Sequence, residues 1–105
     1  MSVNRPVPLT PAQAHEAIHR LLEIRDTIGL TGHVRQRMRQ RQFTMDDIRR
    51  VLDRGVVSAN PVWKSEFNNW VYTVSGRDYD NEPLAIVVAL EPAINRLTVI
   101  TGKDV

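Results

Sequence analysis

Two stretches of the chain hold residue types that could do chemistry. Residues 15–19 read HEAIH, the H-E-x-x-H spacing of zinc hydrolases, in which two histidines one helical turn apart hold the metal and the glutamate activates its water. Residues 33–41 read HVRQRMRQR, one histidine and four arginines with no acid among them. That set suits an anion. Guanidinium groups grip phosphate through paired hydrogen bonds, and an imidazole titrating near neutrality can move a proton beside it.

Helical geometry separates the two. On the first helix Ala14, Ile18 and Leu21 centre the apolar side, while His15 and His19 fall off that centre beside Glu16, Glu23 and Asp26. Glu23 extends the same stripe, which makes a surface chelate and not an enclosed catalytic site. The remaining histidine, His33, lies past Gly29 and Gly32. HEAIH therefore reads as two solvated histidines beside acids, and no metal or cofactor is expected. A zinc hydrolase built on His15, Glu16 and His19 is the least favoured function.

On the second helix His33, Arg37 and Arg41 stand at i, i+4 and i+8, each about 40° round from the last, so they form one stripe. Val34 and Met38 lie beside it facing the core, and Arg35 and Arg39 flank the apolar strip on its other side. In one reading the arginines pair with Asp46, Asp47, Asp53 or a sheet carboxylate, and His33 is a partly buried polar contact. In the other, Arg37 and Arg41 hold a phosphate while His33 acts as acid or base. Metal-free RNA cleavage needs that equipment: a base for the 2′-OH, cations against the charge of the phosphorane, and an acid for the leaving 5′-oxygen. Lys64, Tyr72 and Thr101 are the polar groups the strands could add, with Lys103 in the tail the weakest. Trp63, Trp70 and Tyr72 are expected in the core, although an exposed ring could stack on a base.

The elements that must position these groups follow from patterning. Residues 1–9 read as a flexible or lightly anchored arm, and residues 10–105 as a single domain. Thr10, Pro11 and Gln13 open a helix predicted to run to about residue 26–28. A second helix covers about 33–41, and Thr44 with Asp47 caps a third that ends at Gly55. Strands are expected near 56–58, 63–67, 70–74, 84–90 (with LAIVVAL buried on both faces) and 97–101. Helices first and a three- to four-stranded antiparallel sheet after them make an α+β domain.

Composition sets the outer limits. The 105 residues are 42% hydrophobic and 25% charged with a net charge of +2, as in an ordinary globular domain. Zero cysteines exclude disulfides and thiolate chemistry. No apolar stretch is long enough to span a bilayer, and MSVNRPVPLT lacks the regions of a signal peptide; a cytoplasmic location is expected. Of fourteen basic residues twelve are arginine, and their clustering at 33–41 points to an acidic partner more strongly than the net charge does.

The pattern His33-x3-Arg37-Met38-x2-Arg41, then Phe43-Thr44, the capped helix Asp46–Asp53 and Gly55-Val56-Val57, resembles the bacterial domain of unknown function 4258 family. WVYTVSGRDYD, PLAIVVAL and LTVIT extend the likeness, which covers about residues 30–102 and leaves HEAIH outside. The family pattern is similar to RelE- and MqsR-like toxins, small α+β ribonucleases that cleave RNA without metal and are commonly neutralised by a partner protein. The resemblance implies a toxin-like endoribonuclease with His33, Arg37, Arg41 and Thr101 catalytic. Lys64, Tyr72, Arg35 and Arg39 would bind substrate, with RNA and a cognate antitoxin as partners. The alternative is a non-catalytic module that binds protein or nucleic acid through helix 33–41.

Overall fold

In a computed structural model, which describes residues 5–103, the helices begin where their caps place them. Helix α1 spans Pro11–Leu22; the Thr10 side chain accepts from the Gln13 amide, and the Gln13 side chain accepts from the Thr10 amide. It stops short of residue 26. Asp26 turns the backbone left-handed at φ 58°, and the Thr27 hydroxyl donates to the Leu21 carbonyl at 2.8 Å, closing the last turn. The early stop releases Ile28–Leu30 as strand β1, an element absent from the sequence reading.

Helix α2 spans Gly32–Arg41 from its cap Thr31 and ends at Gln42, which is left-handed at φ 57°. Helix α3 spans Met45–Arg54. Strands β2 (Val56–Val57), β3 (Val62–Lys64), β4 (Asn69–Arg77), β5 (Pro83–Glu91) and β6 (Arg96–Lys103) follow, with a short 3-10 turn at Pro92–Ile94. Asn68, Asn81 and Asn95 take the left-handed position in the three turns that join β3 to β6, a conformation asparagine tolerates better than most residues.

Among the described residues the architecture is α+β, three helices on one sheet, but the sheet differs from the expected three- to four-stranded antiparallel one. It has six strands in the order β1-β6-β5-β4-β2, with β3 also paired to β4. It is mixed, because β1 runs parallel to β6. Tyr72, Val74, Ile86, Val88, Leu97 and Val99 point to the helices and join Ile18, Val34, Ile48 and Leu52 in the main core. Val71, Val87 and Ala89 form a separate small cluster on the opposite face, to which none of the three helices contributes.

The amino-terminal segment is tied to the helix-facing side. The Trp70 indole donates to the Pro6 carbonyl at 2.6 Å, and the Leu9 amide donates to the Tyr72 hydroxyl at 2.9 Å. Trp63 and Trp70 meet edge to face at 5.6 Å between ring centroids. Residues 1–4 of the expected arm, and Asp104 and Val105 of the tail, lie outside the described residues.

Asp47 joins α3 to the β4–β5 turn. One carboxylate oxygen accepts from the Thr44 amide and hydroxyl, and the other accepts from the Tyr79 amide at 2.9 Å. Burial by itself raises this carboxyl's pKa, but the hydrogen bonds from Tyr79 and Thr44, with the nearby Arg50, together outweigh it and hold the group below the usual range. A lowered native pKa contributes stability that is complete above the unfolded value and is lost as pH falls through the native one. Asp47→Ala should therefore lose about 1–2 kcal/mol at neutral pH. Its deficit against the wild type should narrow as urea titrations move below about pH 4. A close approach gives a second test. A Cβ on Gly55 would lie 2.5 Å from the Val51 carbonyl and 2.8 Å from the Ser75 carbonyl, whereas at Gly32 nothing among the described residues, its chain neighbours and own helix backbone aside, lies within 4 Å. Gly55→Ala should cost about 1–3 kcal/mol in the same titrations, and Gly32→Ala should be neutral or stabilising.

Candidate functional site

The site begins with an open strand edge. Strand β6 pairs with β5 along its length, from Arg96 to Lys103, but with β1 only through Leu97–Val99. Beyond that point α2 supplies the missing partners. The Thr31 amide donates to the Val99 carbonyl at 3.2 Å, and the Thr31 hydroxyl donates to the Ile100 carbonyl at 2.9 Å. Arg37 Nε reaches the Gly102 carbonyl at 3.4 Å. Ile100 is the extra residue of a bulge, since Val88 pairs with Val99 while Val87 pairs with Thr101. Val34 is fully buried beneath the helix and Met38 partly so.

This clamp determines what α2 presents. Arg37 is half-buried along the β6 edge, and His33, one turn earlier, is exposed, with Cβ atoms one turn apart separated by about 5–6 Å. Among the described residues His33 makes no hydrogen bond or ion pair, and no acid of α3 pairs with Arg37. Thr101 lies next to Gly102 and opposite Val87, which puts its side chain on the helix-free face of the sheet. His33, Arg37 and Thr101 thus lie along one rim, where α2 meets β6. Arg35 and Arg39 are exposed on the same helix.

The other candidates lie elsewhere. Arg41 is exposed at the far end of α2 and lines a cavity of about 440 Å³ with Asp78, Asp80 and Glu82, where an arriving phosphate would meet three carboxylates. Lys64 is exposed on β3, three strands from β6, about 14 Å across the sheet. Tyr72 is 4% exposed, its ring in the core and its hydroxyl at the Leu9 amide; β4 alternation turns it toward the helices, away from any surface substrate. The Lys103 side chain lies outside the described residues.

Of the HEAIH histidines, His15 is exposed, as expected, while His19 is half-buried against the end of α3. Their rings are 4.1 Å apart, and His19 Nε2 donates to the Asp53 carbonyl at 2.7 Å. Among the described residues no three His, Asp or Glu side chains gather as a metal-binding group.

A second cationic surface escaped the sequence reading. Arg49, Arg50 and Arg54 stand on the outer face of α3 and line a pocket with Leu22, Asp53 and Tyr79. Their spacing on a capped helix was a usable signal, but Tyr79 is far away in sequence and nothing local pairs it with them.

Among the described residues no helix is long and apolar enough to cross a membrane. No curated protein and no solved structure matches the chain. One family model does, that of a domain of unknown function (DUF4258), over residues 30–101. The match starts at the end of β1 and takes in α2, α3 and β6 as far as Thr101, so His33, Arg37 and Thr101 lie inside it, Gly102 just past its end, and HEAIH outside. The chain belongs to the DUF4258 family.

Proposed function

We propose that the protein is a toxin-like endoribonuclease whose RNA substrate lies along the α2–β6 rim. The observation that carries this reading is the exposed His33 on the stripe of Arg37, with Arg37 tied to the strand beside Thr101. Neutral His33 takes the proton of a 2′-OH while water protonates the leaving 5′-oxygen, or as imidazolium it protonates that oxygen while water takes the 2′-OH proton. The 2′-oxygen attacks phosphorus and the bond to the 5′-oxygen breaks, leaving a 2′,3′-cyclic phosphate and a 5′-OH. Arg37 offsets charge on the phosphorane, Thr101 donates to a phosphoryl oxygen, and Arg35 and Arg39 attract the strand. The chemistry is supplied by side chains and water. On this reading the protein acts in the cytoplasm, and a cognate antitoxin would cover the same rim.

One observation favours a second reading, a non-catalytic RNA-binding module on the same helix. His33 lacks an orienting hydrogen bond among the described residues, whereas an acid–base histidine is commonly held by one. Incubation with end-labelled single-stranded RNA separates the two. The nuclease reading expects cyclic-phosphate ends from the wild type and at least a ~100-fold slower His33→Ala variant. The midpoint of thermal unfolding should barely move, because His33 is exposed. Salt-sensitive binding without product at any protein concentration would establish the module instead. Equal cleavage by His33→Ala would remove His33 from the chemistry.

A further inference from the structure

The pocket on the outer face of α3 shares no residue with the α2–β6 rim. It has a volume of about 250 Å³ and is lined by Leu22, Arg49, Arg50, Asp53, Arg54 and Tyr79. Three guanidinium groups thus face one carboxylate. That carboxylate is already shared, with Arg54 Nε at 4.0 Å on one oxygen and His19 Nε2 at 3.8 Å on the other. The balance in the pocket is positive.

Its geometry is held in place. Arg49 donates to the Leu22 carbonyl at 3.3 Å, and the Arg50 guanidinium lies 4.8 Å over the Tyr79 ring. Tyr79 is 65% exposed, yet its amide is held by Asp47, which is itself 8% exposed. The β4–β5 turn does not need that tie to close. Asp78 already accepts from the Asp80 and Glu82 amides, each at 2.9 Å, and its own amide donates to the Glu82 carbonyl. What the Asp47 bond adds is a fixed position for an exposed aromatic ring beside three arginines.

We infer that this pocket binds a nucleotide, with the base stacked on the Tyr79–Arg50 platform and the phosphate held by Arg49 and Arg54. Flat guanidinium and phenol surfaces accept any base through its π-face, arginine forks match phosphate oxygens, and Leu22 gives the base or sugar an apolar wall. The nucleotide is either free or one unit of a single RNA strand. The inference goes beyond the reading of the rim and stands whether or not His33 cleaves RNA.

Calorimetric titration of the full chain with adenosine 5′-monophosphate, adenosine, inorganic phosphate and a short oligoadenylate tests it. The mononucleotide or the oligonucleotide should bind saturably and at least about tenfold more tightly than adenosine or phosphate, because only a nucleotide uses both halves of the site. Tyr79→Ala should weaken that binding by about tenfold or more, and Arg54→Ala should also weaken it. Tyr79→Ala keeps the backbone amide that Asp47 holds, so an unchanged melting temperature will show that the fold survives. Tighter binding of the oligonucleotide assigns the site to an RNA strand, and preference for the monomer assigns it to a free nucleotide. Equal affinity for phosphate and nucleotide, indifference of a folded Tyr79→Ala variant, or no saturable binding by any of the four would overturn the inference.

Discussion

Much of the structure depends on how the outer edge of β6 is satisfied. A strand in a sheet must pair its carbonyls on both sides or give them to water, and a buried carbonyl left without a donor costs about 1–3 kcal/mol. Strand β1 covers only three residues of that edge. Thr31 and Arg37 cover more of it, at Val99, Ile100 and Gly102. Thr31 has a further task as the cap of α2, accepting from the Val34 amide. A single threonine therefore ends β1, starts α2 and closes the bulge at Ile100. The position of the helix follows from strand chemistry as much as from the apolar contacts of Val34 and Met38.

That constraint divides the α2 stripe. At i, i+4 and i+8 His33, Arg37 and Arg41 share one side of the helix, but the helix passes β6 only along part of its length. Its cap Thr31 and, in its second turn, Arg37 reach the β6 edge at the Ile100 and Gly102 carbonyls. Its end reaches the acidic turn of Asp78, Asp80 and Glu82. The helix-free face is itself built of small and β-branched residues: Thr73, Val87 and Thr101 form one row across β4, β5 and β6. Val71 and Ala89 are buried there in a cluster with Val87, and Ile100 packs against them. On the proposed reading, this helix-free face beside α2 is where a strand of RNA would lie.

The local signals in the sequence were the legible ones. Two of the three helix caps, the apolar run of β5 and the aromatic, β-branched run of β4 each stand in a short window, and each is found where its pattern places it. Strand β1 was not legible: three residues with Gly29 in the middle carry no alternation, and Ile28 looks like the next turn of α1. Only the pairing with β6, nearly seventy residues on, makes it a strand. Tyr72 fell between a core and a contact reading because both suit an aromatic, and the register of β4 decides it. The link from Asp47 to Tyr79 was hidden for a similar reason. Asp47 as a helix cap is local, but its second oxygen serves a turn 32 residues away.

The most direct test of the account is a nuclear magnetic resonance titration of the full chain with a 2′-O-methyl oligoribonucleotide, which binds as RNA does but cannot be cleaved. The account predicts concerted shifts of the His33 ring protons, the Arg37 Nε–H and the Thr101 amide at one saturating stoichiometry. Binding that leaves those three signals in place, with its shifts confined to other parts of the surface, would contradict the claim that the clamp on β6 builds an RNA site.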